Sequence, residues 1–298
     1  MEQVERYLVY GASGVQGGAV ARLLVEKGLY VRTVTRSEEQ AVVLNNQGIE
    51  AVIGDFSKAE LLDQAHEGID NVFLNIPVDF ELAKVRKYIS NAVDAARRAN
   101  IKLLVVNTSV YVPEHETDAA AIEIKRELIN YVKQSGVPFI IVQPIVYMEN
   151  FLIPGLLNNH MLAYPVPADK PIAWISADDA AKYHVYALTH SHLAGSTLQA
   201  TGPEALTGMQ LAEHFSAALG EAISFYSLPL DSFETAIRPL LGKETASGLA
   251  GLYRWIEANT ASLPQPDHIN PTVDPSFRMT GMTEWISKAV ERGHFSIK

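Results

Sequence analysis

Cysteine is absent from the 298 residues, which excludes disulfides, thiolate metal centres and cysteine nucleophiles. Positive charge is scarce: 24 Lys and Arg stand against 34 Asp and Glu, a formal net charge of -10. The mean field of such a surface repels a phosphate backbone, so nucleic acid is not an expected partner. No apolar run reaches the length of about eighteen residues that a membrane span needs. The opening Met1-Glu2-Gln3-Val4-Glu5-Arg6 is too charged for the apolar core of a signal peptide. No membrane contact is expected, and the chain reads as cytoplasmic. The nine histidines show no metal-ligand spacing, so no metal is expected; His190 and His192, near a helix end, read as solvated.

What is present is an ordinary globular composition, 48% hydrophobic and 19% charged, unlike a disordered or low-complexity chain. Short β-rich apolar runs at 7–10, 30–35, 50–53, 71–75, 103–107 and 139–142 alternate with helical patterns at 15–27, 59–66, 80–99 and 119–133. Such alternation is the mark of βαβ units around a parallel sheet. After Pro144 the pattern loosens, with Pro154, Pro165, Pro167 and Pro171 cutting the chain into short pieces. Trp174-Ile175-Ser176-Ala177-Asp178-Asp179 reads as a strand end followed by a helix N-cap, Ser176 accepting the N–H of Asp179. Beyond residue 195, short strands and helices are expected around Pro203, Pro229, Pro239 and residues 264–275, with Tyr253-Arg254-Trp255 as packing or interface.

The strongest local signal is Gly11-Ala12-Ser13-Gly14-Val15-Gln16-Gly17, directly after the first strand and opening the first helix. Gly11 permits the tight turn, Gly14 lets the backbone approach a pyrophosphate, and Gly17 allows close helix–strand packing. Free N–H groups at the helix start then face the phosphates. These residues predict an α/β fold: a doubly wound parallel-sheet Rossmann domain over 1–150, to which 172–200 return. A smaller C-terminal α+β substrate lobe is expected over 151–298.

Cofactor choice in such a domain is set at the end of the second strand, where a carboxylate holds a free ribose 2′-hydroxyl. Here stands Thr35-Arg36-Ser37. The Arg36 guanidinium can form charge-assisted bonds to a 2′-phosphate, so NADP(H) is expected over NAD(H). The other strand ends bring Asp55 and Phe56, able to bond and flank an adenine, then Asn75-Ile76-Pro77, and Asn107-Thr108-Ser109. On helix 119–133 the polar Glu123, Arg126, Asn130 and Lys133 form one solvated face, while Lys125 falls in the apolar stripe with Ala121, Leu128 and Val132. A buried ammonium is costly unless employed, and ribose hydroxyls would employ it.

The chain resembles the NmrA-like family of atypical short-chain dehydrogenase/reductases, a group of redox-sensor regulators and NADPH-dependent reductases. The resemblance runs through Gly11-x-Ser13-Gly14-x-x-Gly17, Thr35-Arg36, Gly54-Asp55, and Lys125 ahead of Ser135-Gly136-Val137-Pro138-Phe139. It continues in Pro144-Ile145-Val146-Tyr147-Met148-Glu149-Asn150-Phe151, Trp174-Ile175-Ser176-x-x-Asp179 and Thr201-Gly202-Pro203-Glu204-Ala205-Leu206-Thr207. It implies that Lys125 matches the catalytic lysine at the nicotinamide ribose and that Pro144 and Val146 line the cofactor. The usual catalytic tyrosine, four residues before the lysine, is replaced by Ala121. Thr108 or Ser109 falls in the family's serine region, and Tyr111 is a candidate for reaching the pocket.

Tyr147, Met148, Phe151, Tyr164 and Trp174 are expected at an apolar pocket or in the core, with Glu149 and Asn150 orienting a ligand or capping the next helix. Two functions follow. The first is an NADPH-dependent reductase passing hydride to a small aromatic or quinone-like acceptor. The second is a non-catalytic NADP(H) sensor acting on a regulated protein partner. A sugar-nucleotide epimerase would lack its tyrosine base.

Overall fold

The computed structural model describes residues 5–266 and 278–295. In chain order come β1 (Arg6–Val9), α1 (Val15–Glu26), β2 (Tyr30–Thr35), α2 (Glu38–Asn46), β3 (Ile49–Ile53), α3 (Ala59–His66), β4 (Asn71–Leu74), α4 (Leu82–Arg98), β5 (Leu103–Asn107), α5 (Ala120–Gln134) and β6 (Phe139–Pro144). They are followed by β7 (Val146–Tyr147), β8 (Leu157–Asn158), β9 (Met161–Tyr164), β10 (Ile172–Ile175), α6 (Ala177–Thr189), β11 (Thr197–Ala200) and β12 (Glu204–Leu206). The last elements are α7 (Gly208–Leu219), β13 (Ser224–Ser227), α8 (Leu230–Leu241), α9 (Lys243–Asn259) and α10 (Met282–Glu291).

Two compact units form. The first comprises residues up to Val112 with Ile124–Gln143 and Ala180–Leu198; the second comprises Pro113–Glu123, Pro144–Asp179 and residues from Gln199 onward. The principal sheet has seven strands in the order β11-β6-β5-β4-β1-β2-β3. β1 pairs in parallel with both β2 and β4, so successive connections leave it in opposite directions. In open α/β sheets ligands bind beyond the carboxyl ends of strands at such a switch point, here the end of β1 at Val9.

Sequence periodicity explains the layers. Leu8, Val9, Val72, Phe73, Leu74 and Val105 are 0% exposed, the uninterrupted apolar character of strands covered on both faces. α4 buries Val85, Tyr88, Ile89, Ala92, Val93 and Ala96, a three-and-four spacing that leaves its charged residues outside. α1 buries Gly17, Gly18, Ala19, Val20, Ala21 and Leu24, and its small residues let it sit close to the sheet.

Two elements differ from the sequence expectation. α2 forms directly after Arg36, with Ser37 as N-cap accepting the Gln40 N–H at 3.2 Å; its apolar stripe is too weak to signal a helix by periodicity. β11 adds a seventh strand, beginning beside β6 with the Gly195 N–H donated to Phe139 O.

In the second unit β10 pairs in parallel with β7 and antiparallel with β12, and β9 lies between β8 and β13. Its core is aromatic: the Phe151 ring lies 4.7 Å from Trp174, 5.0 Å from Tyr164 and 5.4 Å from Phe215. Tyr253 and Trp255 are buried, as packing residues should be. Residues 267–275 of the proline-rich stretch lie outside the described residues. No helix among the described residues is long and apolar enough to cross a membrane.

Candidate functional site

Gly11 has φ +76°, in the left-handed region where a side chain is strained. It turns β1 into α1, and the Gly14 N–H closes the turn on Gly11 O at 2.9 Å. A Cβ on Gly17 would lie 2.4 Å from Gly11 O and 2.6 Å from Tyr10 O, so only glycine lets the helix settle there. Gly14 caps α1 without a side-chain hydrogen bond, leaving the first-turn amides to a ligand. Ser13, Gly14 and Val15 are exposed beside them.

To one side of β1, Arg36 is exposed at the end of β2 while Thr35 is buried, its hydroxyl accepting the Ser37 N–H. Asp55, after β3, accepts the Ser57 N–H at 2.7 Å; hydrogen bonding from Ser57 lowers its pKa, and the nearby Arg36 and Lys58 charges add to this. The Phe56 ring packs 4.7 Å from Tyr10 and 5.7 Å from Tyr88, a half-buried platform facing inward as well as outward.

On the other side the ends of β4 and β5 meet the start of α1. Asn107 Nδ2 donates to Gln16 Oε1 at 2.6 Å and the Ser109 hydroxyl to the same oxygen at 2.9 Å. Both also approach Asn75 Oδ1, at 3.4 and 3.3 Å. Ser109 adopts φ +61°, held by its N–H donating to Asn107 Oδ1 at 2.9 Å. A non-glycine residue in this conformation persists only where its surroundings over-determine it. Ile76 is buried and Pro77 exposed next to Asn75. Thr108 differs from the serine-region expectation: it is 0% exposed, with its hydroxyl turned to Val110 O and Val142 O. Ser109 is therefore the hydroxyl that faces the strand ends. Tyr111 is half-buried and engaged in contacts of its own.

Lys125 lies on the buried side of α5 with Ile122, Leu128 and Val132, itself only 8% exposed. Burial lowers its pKa to about 8. No ion pair or side-chain hydrogen bond reaches its ammonium among the described residues. A mostly buried lysine with no such partner among the described residues, together with a glycine cradle, is what a ribose and pyrophosphate would complete.

The residues expected around an acceptor lie in the second unit. Tyr147 is 5% exposed in β7, following the buried Pro144 and Val146. Of the two places expected for Phe151 and Trp174, pocket or core, they take the core: their rings are covered by Tyr164 and each other. Glu149 caps α6. Both of its carboxylate oxygens accept the Ala177 N–H at 3.0 Å, and Trp285 Nε1 donates to one at 3.1 Å. Burial raises the Glu149 pKa despite these bonds. The adjoining cavity of about 70 Å³ is lined by Glu149, Ser176, Trp285, Lys288 and Arg292, small beside the roughly 300–1,000 Å³ of typical organic-ligand sites. Asn150 Nδ2 donates to the Tyr253 hydroxyl at 3.3 Å, and that hydroxyl meets the Tyr164 hydroxyl.

As expected, the Ser176 side chain accepts the Asp179 N–H at 3.1 Å. The Asp179 carboxylate then accepts the Thr280 N–H at 2.7 Å, a tie within the second unit. No cluster of metal-ligating side chains occurs among the described residues. The solvated reading of the histidines fails for His66 and His184, which are 0% and 1% exposed, and holds in part for His190, which is half-buried and stacks at 3.9 Å on Tyr186.

Comparison with known proteins gives the same picture. The chain is 27% identical over 279 residues to an NAD(P)H azoreductase of Xenophilus azovorans, covering 92% of each. It is 32% identical over 234 residues to a (4-alkanoyl-5-oxo-2,5-dihydrofuran-3-yl)methyl phosphate reductase of Streptomyces griseus, covering 77% of this chain and 79% of that protein. Its fold is similar to that of an NADPH-dependent quinone oxidoreductase of Escherichia coli solved with NADPH, with TM-score 0.80, 20% identity, and coverage of 96% and 99%. The glycine turn after β1, the α/β order and the lysine on α5 all lie within residues 3–286, the span that matches one family, and the chain belongs to the NmrA-like family.

Proposed function

We propose that the chain is an NADPH-dependent reductase that delivers hydride to a small, flat aromatic or quinone-like acceptor. The observation that carries the reading is Lys125, a lysine only 8% exposed whose ammonium has no ion pair or side-chain hydrogen bond among the described residues, on the helix expected to flank the nicotinamide ribose. Relatives named as NAD(P)H azoreductase and as a reductase support hydride chemistry. Bound NADPH would supply a hydride and two electrons. Gly11, Gly14 and Gly17 would admit its pyrophosphate, Arg36 its 2′-phosphate, and Lys125 its ribose hydroxyls.

Ala121 stands where a tyrosine would protonate a developing alkoxide. General-acid help of that kind is typically worth about 100- to 10,000-fold in rate, so aliphatic ketones are poor acceptors here. A quinone spreads the incoming charge over its ring system and needs less help. Steady-state oxidation of NADPH and NADH across an acceptor panel tests the reading. Wild type should use NADPH faster than NADH, with quinones or dyes and little with ketones, and Arg36→Asp should reverse the coenzyme preference. Silence with every acceptor while NADPH still binds would favour a cofactor sensor; an unchanged preference in Arg36→Asp would remove the 2′-phosphate assignment.

A further inference from the structure

The orientation of the Gln16 amide follows from a group whose polarity is fixed. A backbone N–H only donates, so the Asn107 atom 2.9 Å from the Ser109 N is oxygen. The other end of Asn107 is then NH2, and the Gln16 atom that it meets at 2.6 Å is oxygen. The Ser109 hydroxyl, donating to that same atom at 2.9 Å, agrees. The Gln16 NH2 is thereby the end of the amide turned away from Asn107 and Ser109. It has no partner among the described residues, and Gln16 itself is only half-buried.

Sheet order says which part of a dinucleotide this amide faces. Arg36 follows β2 and Asp55 follows β3, on one side of β1; Asn75 follows β4 and Asn107 follows β5, on the other. With the 2′-phosphate at Arg36, the adenosine half lies toward β2 and β3, and the remaining half crosses toward β4 and β5. Gln16 is bonded to the β4–β5 side and stands in the first turn of α1, beside the glycine turn proposed to admit the pyrophosphate.

We infer that the Gln16 side-chain amide donates to the phosphate nearer the nicotinamide, held in that orientation by Asn107 and Ser109. Two accepted hydrogen bonds fix the donor before the ligand arrives, which lowers the ordering cost of binding. The inference rests on the nucleotide reading proposed above and assigns within it a donor that is indifferent to the 2′-phosphate.

The test compares the affinities of NADPH, NADH and 2′,5′-ADP for wild type, Gln16→Glu and Gln16→Met, with thermal melting to follow the fold. Gln16→Glu keeps the oxygen that Asn107 and Ser109 bond and replaces the NH2 by an anionic oxygen. Loss of a hydrogen bond to a charged group should weaken NADPH and NADH by a common factor of roughly 10- to 100-fold. 2′,5′-ADP, which lacks the nicotinamide-side phosphate, should lose much less. Gln16→Met should show the same pattern with a smaller factor, and carries the test if the Glu variant does not fold. Unaltered NADPH affinity in both variants, or a loss of 2′,5′-ADP as large as that of NADPH, would overturn the assignment. Failure of wild type to bind either NADPH or 2′,5′-ADP would instead overturn the nucleotide reading itself.

Discussion

At the scale of one residue the proposed function turns on Lys125. It lies on the buried side of α5 with Ile122, Leu128 and Val132, and burial lowers its pKa to about 8. In the unfolded chain the same group titrates near 10.4. Between those values the unfolded state holds more protons than the folded one, so this contribution makes stability rise with pH, and below about 8 the full penalty of burying the charge is present. A shift of this size corresponds to about 3 kcal/mol. Lys125→Met, which keeps the volume and removes the charge, should therefore be as stable as wild type or more so near neutrality. It should also lack the wild-type gain between pH 8 and 10, while losing cofactor affinity or turnover. Denaturant melts across pH, paired with NADPH titration, check this; a variant that is much less stable yet binds NADPH normally would make Lys125 structural. The position was legible because one charged residue interrupts an apolar stripe at helical spacing. The Gln16–Asn107–Ser109 cluster was not legible as a unit, since its members lie 91 and 93 residues apart. A local clue existed: asparagine is poorly suited to strands, yet Asn107 ends one.

At the scale of elements the same substitution should act with opposite signs in two helices. In α1 a Cβ on Gly17 would meet backbone oxygens of Gly11 and Tyr10 at 2.4 and 2.6 Å, atoms that cannot move without opening the turn after β1. Gly17→Ala should cost about 2–3 kcal/mol, the upper range for overpacking, and sharply weaken nucleotide binding. In α9, nothing lies within 4 Å of a Cβ on Gly251, and Gly251→Ala should stabilise by about 0.5–1 kcal/mol through helix propensity. Thermal melts of the two variants decide the matter; equal effects would mean that the α1–β1 approach is looser than its geometry. Strands and helices of the first unit were readable because apolar runs and amphipathic stripes alternate there with clear turns. α2 is not legible in the sequence because its start depends on a cap, Ser37, more than on its apolar face. The elements around Phe151 and Trp174 were hard to place for another reason. Aromatic residues spread over segments from Phe151 to Trp285 form one core, and no local period distinguishes a core of that kind from a pocket wall.

For the whole molecule, the net charge of -10 and the apolar parallel sheet agree with a chain that binds a small anionic cofactor through a few placed groups. Basic charge over the surface at large is not needed for that. Dinucleotide-binding architecture was legible from a glycine turn in βαβ context, whereas the acceptor was not, because Glu149 serves as a helix cap and Phe151 and Trp174 as core. Hydride transfer from bound NADPH is tested with NADPH deuterated at C4 on one face or the other and a quinone acceptor. A protein that fixes the cofactor through Arg36, Gln16 and Lys125 presents a single face, so deuterium on that face alone should slow acceptor-dependent turnover. No acceptor-dependent oxidation, or equal slowing from either face, would contradict hydride transfer from a cofactor held in one orientation.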